Sequence, residues 1–184
     1  MEESFQLVRL SKENLDDFLI FHNRECDYGP CYCMYWWVDH DTWEERTETE
    51  KLLMRKRLVS QGVFDGYLLY RNSVPVAWCQ CHPRDAFPHI TERFELRPEE
   101  DVWAMTCFLV KRGQRHGGIM TELLDRVLAD LRARGARAVE AYPRRLETFD
   151  ELYAWNGPEQ AFIERGFSFI KYAGNRCIYR YDFV

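Results

Sequence analysis

Two periods of hydrophobicity run along the chain, and the switches between them mark out its elements. Phe5 to Leu10 alternates as a short strand. Leu15, Phe18, Leu19 and His22 follow at helical spacing, with Ser11 placed to cap the first turn. From Asn23 to Asp41 both periods are lost in a stretch dense with Tyr, Trp and Cys, too apolar for a solvated linker. Thr42 to Gln61 is charged with an apolar stripe at Leu52, Leu53, Leu58 and Val59, and Gly62 suits a helix stop. Val63–Tyr70 and Val74–Cys81 read as strands of a hairpin turned at Asn72-Ser73, with Pro75 making the second strand irregular at its start. His82 to Glu100, with three prolines and mixed charge, is expected to be a surface connection.

The second half is more regular. Val102–Val110 is a strand. Gly118–Arg134 is a helix whose Met120, Leu123, Leu124, Val127, Leu128 and Leu131 form one stripe, with Gly135 past its end. Ala136–Tyr142 is the next strand, so these three elements predict a βαβ unit with a parallel strand pair. Pro158–Arg165 is a short helix stopped by Gly166. Phe167–Tyr172 and Cys177–Phe183 form a last hairpin about Ala173-Gly174-Asn175.

Length and composition narrow the class. With 184 residues, 46% hydrophobic and 30% charged, the chain suits one globular domain, residues 1–184. No apolar run approaches the about 20 residues of a membrane span, and MEESFQLVRL lacks the core of a secretory signal. A net charge of −5 argues against nucleic acid or anionic membrane as a partner. Seven cysteines, an odd number, suit free thiols in a reducing compartment, and a cytoplasmic location is expected.

The connection Lys111 to Met120 carries the chemistry. It joins a strand end to a helix start, where unpaired N–H groups and the positive end of the helix dipole meet. Gly117 and Gly118 permit close approach of an anion to the backbone, and Lys111, Arg112 and Arg115 add charge. A phosphate or pyrophosphate is the natural ligand, and an ordinary basic loop capping a helix is the plain alternative. The glycines at 113, 117 and 118 do not make the dinucleotide fingerprint, and Ile119-Met120 replaces the Lys-Ser/Thr of a P-loop.

Arg115-His116-Gly117-Gly118-Ile119-Met120 resembles the R/Q-x-x-G-x-G/A motif of the GNAT superfamily of N-acetyltransferases, and Cys107-Phe108-Leu109-Val110 resembles the strand before it. Asn156 with Ala161 to Phe167 resembles that family's N…A…(Y)xxxGF segment. Glu140-Ala141-Tyr142-Pro143 and Tyr153 to Pro158 look like a bacterial, small-molecule-type subgroup of it. The likeness is strong over 102–170 and looser over 1–100. It implies an α/β (α+β) GNAT-like domain: a mixed, mostly antiparallel sheet with a central parallel βαβ unit that binds acetyl-CoA as co-substrate. Two positions depart from the pattern. Met120 stands where Gly or Ala is preferred, and Phe162 where many relatives carry a tyrosine that protonates the departing thiolate.

On that resemblance, the backbone of Phe108, Leu109 and Val110 would bind the pantetheine arm as an added strand. The N–H groups of Arg115, His116, Gly117, Gly118, Ile119 and Met120 would cradle the pyrophosphate, with Asn156 and Phe162 completing the cofactor-binding set. An amine of a small molecule or peptide would attack the thioester directly, which needs a base, an oxyanion donor and a proton for the thiolate. Glu140 and Tyr142, alternating onto one strand face, and Tyr153 are the catalytic candidates. A salt-bridged or solvated Glu140 and a packing Tyr153 are the structural alternatives.

Cys31-x-Cys33 and Cys79-x-Cys81, with His22 or His82 in reserve, invite a zinc reading. Structural zinc sites use wider C-x(2–4)-C spacing, however, so packing is favoured and no metal is expected. Cys107 lies near the implied thioester, as a nucleophile or a small buried residue. Tyr28 to Trp43 is the candidate acceptor wall. The reading is an acetyl-CoA-dependent N-acetyltransferase, monomer or homodimer. A non-catalytic acyl-CoA sensor and a thiol or metal protein stand as alternatives.

Overall fold

The computed structural model describes residues 4–27, 29–115, 117–145 and 155–183. The strands are β1 (Phe5–Arg9), β2 (Gly66–Arg71), β3 (Val74–Pro83), β4 (Val102–Val110), β5 (Ala138–Ala141), β6 (Ser168–Ala173) and β7 (Arg176–Asp182). The helices are α1 (Leu15–Glu25), α2 (Glu48–Ser60), α3 (Ile90–Arg93), α4 (Ile119–Ala133) and α5 (Glu159–Ile163). The strands form one sheet in the order β1-β2-β3-β4-β5-β7-β6. β4 and β5 are parallel, joined by α4 as the βαβ pattern predicts, and the other neighbouring pairs are antiparallel. Asn72 and Ser73, with φ of 49° and 65°, make the β2–β3 turn in the left-handed conformation that tight hairpins need.

Alternation along the strands separates two layers. Tyr67, Leu69, Val76, Cys79, Met105 and Val139 face α4, whose Leu123, Leu124, Val127 and Leu131 are completely buried against them. Truncating one such leucine to alanine costs about 2–5 kcal/mol. Leu68, Tyr70 and Trp78 point the other way, into a layer built from α1, α2 and the irregular segment between them. Trp36, Phe87, Phe94, Ala104 and Tyr142 extend that layer.

Several expectations change. The helix expected over Thr42–Gln61 begins at Glu48, because Thr47 and Glu50 close a capping box there. α1 begins at Leu15, and Ser11 instead shapes the turn before it: its Oγ accepts from Glu13 N–H and its N–H donates to Asn14 Oδ1. His82–Glu100 is not a plain surface connection. β3 runs into it to Pro83, and Arg84, Phe87, Ile90 and Phe94 are buried. The irregular stretch after α1 is core, with Tyr32, Cys33, Met34, Trp36 and Val38 buried around a 3-10 turn at Tyr35–Trp37.

One irregularity positions the site. Gln80 faces Cys107 but Cys81 faces Met105, so Thr106 is an extra residue that bulges β4. Pairing of β4 with β5 runs from Val102↔Ala138 to Met105↔Ala141 and stops at that bulge. Past β5 the chain follows β7 instead, through Cys177 N–H to Pro143 O and the Arg144↔Arg176 bridge. The sheet therefore splits, and the Thr106–Val110 half of β4 is unpaired with β5.

Candidate acyl-transfer site

A cavity of about 1470 Å³ opens at this split. Phe108, Leu109 and Val110 line it, as do Gln114, Arg115, Gly118 and Met120 from the turn into α4. Gly118, at φ +78°, occupies the N-cap of α4, and no side chain caps the helix. Its first N–H groups and the positive end of its dipole are left for a ligand. The basic loop is partly neutralised from α1: Glu25 accepts from Arg112 N–H at 2.7 Å, and Asp27 pairs with Arg112 at 3.3 Å and Arg115 at 3.0 Å.

The other residues singled out from the sequence fall in different places. Gly117 sits in the turn, where its N–H donates to Gln114 O. Ile119 turns its side chain into the core under α4, so only its backbone is available to the site. Met120 lines the cavity while also packing against that core. Asn156 is buried in the split: its Nδ2 donates to Thr106 O at 3.0 Å and its Oδ1 accepts from Arg176 Nη1. Phe162 is buried behind Phe108, with ring centroids 5.8 Å apart, and braces β4 from outside the cavity lining. His116 and Tyr153 lie outside the described residues.

Glu140 and Tyr142 do share a face, and the Tyr142 hydroxyl donates to Glu140 Oε2 at 2.9 Å. Neither lines the cavity. Both are buried, and Glu140 Oε1 accepts from Arg84 at 2.9 Å and Arg180 at 3.3 Å. Burial, with Glu140 beside it, pushes the Tyr142 hydroxyl far above the ordinary phenol range. The pair ties β5 to β7 and to the connection before β4, outside the cavity lining.

Chemistry-bearing groups that do line the cavity come from the aromatic, cysteine-rich segment. Cys31, Cys33 and Cys107 meet there beside His22. The His22 Nδ1 contacts Phe18 O at 2.9 Å, and a carbonyl only accepts, so Nδ1 carries the proton and Nε2 accepts from the Cys33 thiol at 3.5 Å. Burial holds His22 neutral, with its pKa pushed down to about 4. The hydrogen bond from the Cys107 thiol draws the Cys31 thiol well below the ordinary thiol range, aided by Cys33 N–H donating to Cys31 Sγ at 3.4 Å. The same bond to Cys31, with burial, raises Cys107. Among the described residues, no group of three or more His, Cys, Asp or Glu is arranged to hold a metal ion. Cys79 and Cys81 lie in the core under α4, both thiols on one face.

The sequence reading missed Arg176, Arg93 and Trp155, which line the far wall with Tyr35 and Trp36. These residues come from four separate segments, and no local pattern joins them.

Residues 30–169 match the acetyltransferase (GNAT) family, and the chain belongs to it. A sequence search of curated proteins finds no match. Among solved structures, the fold is similar to a PaiA N-acetyltransferase from Thermoplasma acidophilum in complex with coenzyme A. Identity is 15%, the TM-score 0.59, and the match covers 98% of this chain and 99% of that one. An acetyltransferase from Thermus thermophilus matches with 16% identity and a TM-score of 0.57, over 98% of this chain and 97% of that one. The ribosomal-protein-S18-alanine N-acetyltransferase of Escherichia coli matches with 12% identity and a TM-score of 0.51, over 96% of this chain and 91% of that one.

Proposed function

We propose that this chain moves an acetyl group from acetyl-CoA to a primary amine of a small molecule or peptide, by direct attack of the amine on the thioester. The observation that supports this reading is the split sheet. A half-strand left unpaired on its β5 side, Thr106 to Val110, leads to an uncapped helix N-terminus at Gly118 within one cavity. A pantetheine arm needs the first, because its amides bond like a strand, and a diphosphate needs the second. Phe108, Leu109 and Val110 would hold the arm, and the backbone from Arg115 to Met120 the diphosphate.

The amine must be unprotonated to attack, and a free amine at neutral pH is mostly protonated, so a proton has to leave before the bond forms. After the tetrahedral intermediate collapses, the thiolate of CoA takes up a proton. Phe162 has no hydroxyl to give. Cys107 precedes Phe108 on β4 and lines the cavity, but its raised thiol is committed to Cys31, so the thiolate takes its proton from solvent.

Thermal denaturation with acetyl-CoA against NAD tests binding, since a ligand specific for the folded state raises its melting temperature. A rise with acetyl-CoA alone, followed by CoA release over a panel of amines, is the expected result. Stabilisation without turnover of any amine would favour a non-catalytic acyl-CoA sensor, and no stabilisation would overturn the reading.

A further inference from the structure

The wall of the cavity formed by Tyr35, Trp36, Arg93, Trp155 and Arg176 has an excess of positive charge and of hydrogen-bond donors. Arg176 is only 4% exposed. Its Nη1 donates to Tyr142 O at 3.2 Å and to Asn156 Oδ1, while its Nε has no hydrogen-bond partner among the described residues. The indole N–H of Trp36, wholly buried, has none either. The Arg176 guanidinium lies over the rings of Trp36 and Trp155, at 5.6 Å and 4.9 Å. Arg93, at the open side of the cavity, lies over Tyr35 and Trp36 at 5.6 Å and 5.8 Å. Among the described residues neither arginine makes an ion pair. Four carboxylates line the cavity: Glu25 and Asp27 are engaged with the loop arginines Arg112 and Arg115, and Glu44 and Glu48 belong to the segment around the start of α2.

A buried cation is normally paired, because removing it from water costs more than packing returns. Arg176 instead has carbonyl oxygens, the neutral Tyr35 hydroxyl and aromatic faces around it. Burial, with Arg93 and Arg144 nearby, lowers it only to about 10, so it stays charged at neutral pH. A charged fork and an orphaned indole donor on one wall lack the same thing, an oxygen acceptor with negative charge.

We infer that this wall is an oxyanion-recognition site, and that the amine acceptor carries a carboxylate or phosphate on a flat apolar body. The aromatic rings would take that body, and the two arginines would hold its charged end. Asn156 joins Arg176 to Thr106 O, so the oxyanion would sit one side chain away from the unpaired edge of β4. The word acceptor rests on the acyl-transfer reading; the oxyanion site does not.

Calorimetric titration of the full chain with 3-phenylpropanoate, phenyl phosphate and the neutral 3-phenylpropan-1-ol tests it, with acetyl-CoA titrated in parallel. At least one anion is expected to bind about tenfold or more tightly than the alcohol, as charge-assisted bonds require. Which anion does so separates a carboxylate from a phosphate acceptor. Arg93→Gln and Arg176→Gln should each bring the ratio toward one while acetyl-CoA binding is kept. Arg93 is exposed, so its variant folds even if the other does not. Equal binding of alcohol and anions, or anion binding unchanged in Arg93→Gln, overturns the inference. Loss of the acetyl-CoA response with anion preference intact would overturn the acyl-transfer reading and leave the oxyanion site standing.

Discussion

Arg55 and Asp65 meet at 2.5 Å with both side chains closed off from solvent, joining α2 to the start of β2. Burial alone would raise the Asp65 carboxyl, but the Arg55 guanidinium, with Gln80 and Trp37 donating to it, holds it below its ordinary value. The rest of Arg55 reaches the cavity wall: its Nε donates to Tyr32 O at 2.9 Å and its Nη2 to Cys33 O at 3.1 Å. One guanidinium thus pins the strained turn at Tyr32-Cys33, where φ is 47° and 53°, against the sheet. Arg55→Met strands a buried carboxylate and should cost about 3–5 kcal/mol in urea unfolding. Arg55→Met combined with Asp65→Leu should recover part of that loss. A single-variant cost below about 1 kcal/mol would show that the pair does not anchor the turn.

Glu140 is braced by Arg84, Arg180 and Tyr142 and does not line the cavity. Glu140→Gln should therefore leave the pH profile of turnover where it is. It should also lower stability by roughly 1–3 kcal/mol, because Arg84 and Arg180 each lose one charged partner while Asp85, Glu99 and Asp182 remain. A shifted profile at unchanged stability would return Glu140 to the reaction.

What the sequence made legible is local. The apolar stripe of α4, its flanking glycines, the parallel β4–β5 pair and the turn at Asn72-Ser73 each follow from residues close together in the chain, and the structure has all of them. The bulge at Thr106 was not legible, because it exists only relative to the register of β3. The burial of Phe87, Ile90 and Phe94 was hidden by the prolines and charges around them. Glu140 read as a strand carboxylate, but nothing near it in sequence announces Arg84 or Arg180. The loop into α4 was found from its glycines and charge, whereas the arginine wall depends on the fold closing.

Gly118 and Gly135 flank the two ends of α4, both at φ +78°, and a Cβ at either meets nothing within 4 Å. Alanine at either position is costly only through the left-handed backbone, roughly 1–2 kcal/mol. The two variants should lose similar stability. Only Gly118→Ala should also weaken acetyl-CoA, because only there does the backbone conformation aim N–H groups at the ligand. Equal acetyl-CoA affinities in the two variants would remove the α4 N-terminus from the binding site.

His22 couples stability to pH. Its folded pKa, pushed down by burial, is about 4, against 6.5 for the free side chain. As pH falls through 6.5 the unfolded chain takes up a proton that the folded chain refuses, so stability is lost until about pH 4 and then levels off. The loss reaches about 2 kcal/mol by pH 5. His40, also lowered to about 4 but more open, adds a smaller effect of the same sign. Urea midpoints at pH 7 and pH 5 should separate clearly in the native chain and less in His22→Gln. An identical pH dependence in the two proteins would mean that His22 is protonated in the fold.

Cys31 is the partly exposed member of its cluster, and it accepts from Cys33 N–H and from the Cys107 thiol. The groups facing it are Cys33 on its own segment, Cys107 on β4, and His22 and Cys26 at the end of α1. Burial raises Cys26 to about 12 and Cys177 to about 11, and Cys33, Cys79, Cys81 and Cys107 are raised as well. Alkylation needs the thiolate. Iodoacetamide at neutral pH should therefore modify Cys31 first, with a rate that holds as pH is lowered below the ordinary thiol range. Cys107→Ala removes a donor to that sulfur, so the rate should begin to fall at a higher pH than in the native chain. Peptide mapping that found Cys26 modified ahead of Cys31, or a Cys31 rate falling away below about pH 8 as for a free thiol, would show that these hydrogen bonds do not hold the thiolate.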